Sequence, residues 1–153
     1  MLENPHVTET EALLVAKVPV TTPRDKIHEV MGPAISEVYA IVLEQGRSPV
    51  GPWFTHHLRI DPAVFDFEAC VPVDQPVAAA GRVVPGDWPA TRVARAIYQG
   101  PYEGLGEAWG AFKAWVAAQG LTGRDDLYER YLVGPESTTD GTQFRTELNQ
   151  PLV

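Results

Sequence analysis

The chain has a single cysteine, Cys70, among its 153 residues. One thiol excludes an internal disulfide and any zinc site built on cysteine pairs. Basic residues are also scarce: 12 Lys+Arg stand against 20 Asp+Glu, for a net charge of −8. Neutralising nucleic-acid phosphates takes a basic stripe, and none is present, so direct nucleic-acid binding is not expected. No apolar run approaches the roughly 20 residues of a bilayer-spanning helix. No basic and apolar leader opens the chain, so a cytoplasmic protein without membrane attachment is expected. His56 and His57 are neighbours, which a strand points to opposite faces. With no H-x-H or H-E-x-x-H spacing, no metal is expected. The absence of a G-x-S-x-G elbow and of a glycine-rich phosphate loop removes serine hydrolysis and nucleotide cofactors, so no cofactor is expected.

What is present is globular: 44% hydrophobic and 21% charged residues, enough for one domain with its own core. The acidic residues are scattered over the sequence, as on a solvated surface, and their mild negative field favours cationic ligands over anionic ones. Residues 1–9 are polar and are expected to fray. Residues 11–20 read as a strand, and Thr22-Pro23 as a helix start with Thr22 as N-cap. Ile27, Met31, Ile35, Val38 and Val42 then recur at helical spacing up to Gln45-Gly46, with Pro33 expected to kink the helix or delay its start. Strands are expected at 53–60 and 64–73. The Pro/Gly-rich stretch 72–89 reads as a connector. A strand at 91–98, a helix opening at Gly100-Pro101 and ending at Gln119-Gly120, and strands at 127–133 and 144–148 complete the chain.

The order strand, helix, strand, strand thus occurs twice, and short matches support a duplication. Gln45-Gly46 and Gln119-Gly120 lie 119 − 45 = 74 residues apart, an offset that also places Phe54 on Tyr128 and Leu58 on Leu132. Phe65-x-x-Glu68-x-x-x-Pro72 answers Phe144-x-x-Glu147-x-x-x-Pro151 at 144 − 65 = 79. Val15-Ala16-Lys17 answers Val93-Ala94-Arg95 at 93 − 15 = 78. Three matches in one order at nearly one offset indicate an internal repeat. The expected fold is α+β: one domain over residues 10–152, with halves at about 10–75 and 82–152. Its pseudo-twofold axis relates the halves of a curved antiparallel sheet that carries both helices on one side.

In such a fold, equivalent strand faces look at each other across a gap. Alternation puts Glu129 and Tyr131 on one face, and the 74-residue offset equates them with Thr55 and His57. Trp53 shares the face of Thr55 and His57. A carboxylate among aromatic rings suits an organic cation, each ring face adding roughly 0.5–2 kcal/mol of attraction. It also suits a general acid–base. Equally open is an exposed Glu129 paired with Arg130 or a cross-strand lysine. Tyr98, Tyr102, Trp88 and Trp109 are further candidates for the wall. Trp109 and Phe112 fit the core better, on the apolar face of the second helix. Cys70 reads as a structural thiol. Asp66 and Glu68 share a face and read as a solvated edge.

Several segments carry a resemblance to a known family. Tyr98-Gln99-Gly100-Pro101-Tyr102 before a Trp- and Ala-rich helix resembles the helix opening of gyrase-inhibitor-like (GyrI-like) effector-binding domains. Tyr128-Glu129-Arg130-Tyr131 followed by Gly134-Pro135-Glu136 is similar to that family's acidic strand and turn. Phe144-Arg145-Thr146-Glu147-Leu148 running to Pro151-Leu152 is similar to its closing strand. Asp66-Phe67-Glu68-Ala69-Cys70-Val71-Pro72-Val73 resembles its D-x-E-x-G-x-P-V run, with Cys70 where glycine is usual. The likeness covers roughly residues 10–152. It implies a duplicated module with a central groove, and makes Glu129 the acidic group that meets lipophilic cations in multidrug-sensing members. His57 stands where the family pattern has tyrosine. Such domains usually follow a helix-turn-helix segment; with the first strand expected near residue 11, a stand-alone member is the expectation here.

The resulting expectation is a binding domain for aromatic or cationic small molecules. Glu129 is its anchor, and Tyr131, Tyr98, Trp53, Thr55, His57, Trp88 and Tyr102 are its lining. A second reading is a metal-independent hydrolase of strained-ring cytotoxins using Glu129 and Tyr131. A third is a protein-interaction role such as gyrase inhibition, and a homodimer or a protein partner is left open.

Overall fold

The computed structural model describes residues 2–153. The elements in chain order are β1 (Leu2–Glu9), β2 (Leu13–Pro23), α1 (Ile27–Glu44), β3 (Phe54–Ile60), β4 (Val64–Pro72), β5 (Val84–Trp88), β6 (Arg92–Gln99), α2 (Leu105–Ala118), β7 (Leu127–Val133) and β8 (Arg145–Pro151). Short 3-10 turns at Arg24–Lys26 and Tyr102–Gly104 lead into the two helices. The fold is α+β, as the pattern of elements predicts. It divides into two units, one of Glu11–Ala90 and one of residues up to Thr10 together with Thr91–Val153.

In the Glu11–Ala90 unit the strands run in the order β3-β4-β2-β5, every neighbouring pair antiparallel. Ala16, Val18 and Val20 of β2 and Phe67, Ala69 and Val71 of β4 face α1 and pack on its Ala34, Val38 and Val42. These alternating positions are apolar because one face of each strand must be removed from water. Pro33 sits inside α1, which starts at Ile27, so it does not delay the helix start. Thr22 is not an N-cap: β2 continues to Pro23, and the Thr22 hydroxyl donates to the Pro23 carbonyl at 3.3 Å.

The other unit repeats this plan in the order β1-β6-β8-β7. Ala94, Ala96, Tyr98, Leu127 and Leu148 pack on Trp109, Phe112 and Val116 of α2. Both helices stop in the same way. Gly46 and Gly120 adopt φ of +69° and +73°, which glycine reaches without steric cost. The next amides reach back to a carbonyl five residues earlier, Arg47 to Val42 at 2.9 Å and Leu121 to Val116 at 3.2 Å. Both second strands carry a register shift after the equivalent residue, at Leu58 in β3 and Leu132 in β7. On the face away from the helix, each unit ties its three strands with an acid between two bases. One set is Lys17–Glu68–His56, at 2.8 and 3.2 Å. The other is Arg95–Glu147–Arg130, at 3.3 and 2.9 Å.

Three expectations are corrected here. Residues 2–9 are not a frayed end: β1 pairs with β6, with Val7 opposite Ala94 and Leu2 opposite Tyr98. The connector contains β5, which pairs with β2. Each unit therefore gains a fourth, outermost strand. In β1 that strand is interrupted between Glu3 and His6, where Asn4 takes φ +50° and Pro5 has no N–H to give. In β5, Pro85 and Gly86 hide the strand from propensity, yet an outermost strand tolerates both. Asp66 and Glu68 likewise lie on β4, an inner strand, and pair with Arg59 and with Lys17 and His56.

Candidate ligand-binding site

The residues of interest fall in both units. Glu129, Tyr131, Tyr98 and Tyr102 belong to the unit containing α2. Trp53, Thr55, His57 and Trp88 belong to the unit containing α1.

In the α2 unit, strand pairing sets Tyr98, Thr146 and Tyr131 in one row across β6, β8 and β7. Ala96, Leu148 and Glu129 form the next row, and paired residues of antiparallel strands share a face. This is the face α2 covers. Glu129 is 8% exposed. Its Oε2 accepts the indole N–H of Trp109 at 2.7 Å, and its Oε1 accepts the hydroxyl of Tyr131 at 2.7 Å. Both donors are neutral N–H and O–H groups, and they fix the carboxyl group in position. Bonds this short to an ionised acceptor are the stronger kind. Arg130 points to the other face and donates to Glu147 at 2.9 Å, which resolves the alternative of a surface Glu129–Arg130 pair.

Aromatic rings continue from the acid. Tyr102 meets Tyr131 edge-on, with ring centroids 5.9 Å apart, and lies tilted against Phe144 at 5.0 Å. The Tyr102 hydroxyl is buried and has no hydrogen-bond partner among the described residues. Burial pushes its phenol up to about 12, with the charges of Glu136 and Glu129 acting in the same direction. Gly134 makes room for it, since a Cβ there would lie 2.8 Å from the hydroxyl oxygen. Tyr98 is part of the core against α2, 6% exposed, and its hydroxyl donates to the Pro101 carbonyl at 2.7 Å. It supports the turn that carries Tyr102.

In the α1 unit, Thr55 and His57 sit on the face that α1 covers, opposite Ala69 and Phe67. His57 stacks on Phe67 with centroids 5.2 Å apart and meets Phe65 edge-on at 5.8 Å. Trp53 lies one residue before β3 and packs against the same core. Trp88 does not join them. Its pairing with Leu13 puts it on the face away from α1, where it packs on Phe54 at 5.0 Å and is 2% exposed. Cys70 is on that face too, and burial raises its thiol far above the ordinary range, in keeping with a structural role.

Sequence reasoning weighed Trp109 as a wall candidate but preferred it as core, and it passed over Phe144. Trp109 belongs to the core and also holds Glu129, a double role that its indole N–H makes available and that helical spacing alone does not show. Phe144 precedes β8 and lies tilted against Tyr102.

A duplicated strand–helix–strand–strand module with antiparallel strands and one helix in each unit defines a class of α+β domains. The chain belongs to one family of that class, the GyrI-like small-molecule-binding domains, which matches it over residues 3–152. The structure is similar to the EcmrR C-terminal domain, with 21% identity, a TM-score of 0.88, and coverage of 100% of this chain and 99% of that one. In the EcmrR–DNA complex the likeness has a TM-score of 0.85 at 21% identity, covering 97% of this chain, and this chain spans 57% of EcmrR. SAV2435, solved bound to tetraphenylphosphonium, is similar at a TM-score of 0.71 and 11% identity, covering 98% of this chain and 94% of its own. At these identities the likenesses concern the fold. No curated protein matches the sequence. Among the described residues, no helix is long and apolar enough to cross a membrane.

Proposed function

We propose that this domain binds lipophilic organic cations, with the Glu129 carboxylate as the charged anchor and Tyr131, Tyr102 and Phe144 as the aromatic surface beside it. The observation that carries the reading is the Glu129 carboxylate itself. It is 8% exposed, held on both oxygens by neutral donors, and adjacent to the rings of Tyr131, Tyr102 and Phe144. A negative charge placed there attracts a cation in a setting where water screens it poorly. Ring faces add cation–π attraction of roughly 0.5–2 kcal/mol each. Family membership supports a small-molecule ligand, and the cation bound by SAV2435 gives a relevant chemical class. The net charge of −8 favours a cation at longer range and disfavours nucleic acid as a direct ligand.

The test is calorimetric titration of tetraphenylphosphonium into wild type and Glu129→Gln. The glutamine keeps the shape and removes the charge. Wild type is expected to bind and the variant to lose about 2–3 kcal/mol, roughly 30- to 150-fold in Kd. Equal affinities would remove Glu129 from its role.

A second reading follows from the Tyr131–Glu129 hydrogen bond, which pairs a hydroxyl proton with a carboxylate as acid–base chemistry requires. Under it the domain would turn over an electrophilic strained-ring substrate without metal. Consumption of such a substrate by wild type but not by Glu129→Gln is its signature.

A further inference from the structure

We propose that Arg95 and Arg130, on the face of the α2 unit that the helix leaves uncovered, form a second binding site, which takes a compact oxyanion such as phosphate or a carboxylate. Arg95 lies between Ala94 and Ala96, and Glu147 and Asn149 flank Leu148, so all three alternate away from the core that packs on α2. Arg130 joins them through its pairing opposite Glu147. The site is separate from Glu129 and does not depend on the cation-binding reading.

The two units build the same three-strand tie here with different charge. In the α1 unit, Lys17 matches Glu68 one for one, and His56 adds a charge only when protonated. In the α2 unit, two guanidiniums meet the single carboxylate of Glu147, and neither gives up its proton. Neutralising Glu147 needs one arginine, so one positive charge is left for another anion. The chain's net charge of −8 opposes an anion only at long range, where salt screens it.

Arg95 is also held in advance. Its Nε donates to Asn149 Oδ1 at 2.7 Å and lies 3.3 Å from Glu147 Oε1. Asn149 is 0% exposed, and its amide donates in turn to Glu147 Oε1 at 2.9 Å. The side-chain bonds of Arg95 all run through Nε, so its terminal N–H groups have no acceptor among the described residues. The side chain is 22% exposed, which leaves those groups open to a ligand. Burial pulls the guanidinium below its ordinary range, opposed by Glu147 and aided by Arg130, and a bound anion relieves both pressures. The planar fork of arginine matches the paired oxygens of a carboxylate or phosphate. A fork already fixed loses little rotamer freedom on binding.

The test follows the arginine Nε–H resonances of the isotope-labelled protein during titration with inorganic phosphate and, separately, acetate, at constant ionic strength. Phosphate is expected to bind with a Kd of about 1–10 mM, and acetate, with less charge, more weakly. Arg95→Gln leaves Arg130 to pair with Glu147 and should weaken phosphate by about tenfold or more. Should that variant fold poorly, Arg130→Gln leaves Arg95 and Asn149 on Glu147 and gives the same readout. Lys17→Gln removes one charge from the corresponding place in the α1 unit and should leave phosphate affinity unchanged. Arg95 and Arg130 resonances unmoved up to about 100 mM phosphate would overturn the proposal. So would an equal loss in Arg95→Gln and Lys17→Gln, which reduces the effect to one of general charge.

Discussion

Gly104→Ala is the substitution for which the structure gives the clearest quantitative expectation. Gly104 closes the 3-10 turn that carries Tyr102, and its φ of −87° is open to alanine, so backbone strain is not at issue. The obstacle is Tyr98. A Cβ on Gly104 would fall on the Tyr98 hydroxyl oxygen and 3.1 Å from the ring carbon that bears it. The ring is 6% exposed and fixed by its bond to the Pro101 carbonyl, so it has little space into which to retreat. Overpacking of this kind costs roughly 1–3 kcal/mol. Displacing the hydroxyl forfeits about 1 kcal/mol more. Against this, alanine restricts the unfolded chain and returns about 0.4–1 kcal/mol. The net expectation is a loss of about 2 kcal/mol, or roughly 4–8 °C in Tm for a chain of this size. Urea unfolding of wild type, Gly104→Ala, Tyr98→Phe and the double variant forms a closed cycle. Removing the hydroxyl removes most of the clash, so the double variant should be more stable than additivity predicts by about 1 kcal/mol. Strict additivity, or a stabilised Gly104→Ala, would refute the packing argument.

Two further substitutions test other parts of the account. Glu68 is pushed up by burial, but hydrogen bonds and charge from His56 and Lys17 outweigh that and leave it below its ordinary 4.5. A depressed carboxyl stabilises the fold above the ordinary value and loses that contribution as pH falls through its folded one. Urea midpoints from about pH 6 to about pH 3 should fall more steeply in wild type than in Glu68→Gln, and parallel curves would contradict the pairing. Tyr102→Phe removes a buried hydroxyl without a partner among the described residues, so it should be neutral or stabilising by up to about 1 kcal/mol. The raised phenol gives wild type a contribution that is full below the ordinary 10 and lost as pH rises towards about 12. The variant should lack that alkaline decline, and identical alkaline limbs would show the hydroxyl to be solvated.

The duplication was legible because it is written into residues with strict local demands. The two Gln-Gly helix ends need positive φ, and the acid on each third strand repeats with its bases. The alternation that put Glu129 beside Tyr131 and opposite Arg130 held because strand geometry enforces it. β1 and β5 were not legible. Their pairing partners lie far away in sequence, and Pro5, Pro85 and Gly86 argue against strands wherever the outermost position is unknown. Trp109 looked like core because its spacing on α2 is that of core. Only tertiary packing brings its N–H to Glu129. Trp88 looked like a site residue because composition cannot tell which face of β5 it occupies.

The most direct measurement is a crystal structure of the domain soaked with tetraphenylphosphonium. The account predicts phosphorus within about 6 Å of a ring centroid of Tyr131 or Tyr102, the usual reach of cation–π contact, with Glu129 still bonded to Trp109 and Tyr131. A cation seated away from Glu129, or an acid turned out to solvent with its two hydrogen bonds broken, would contradict it.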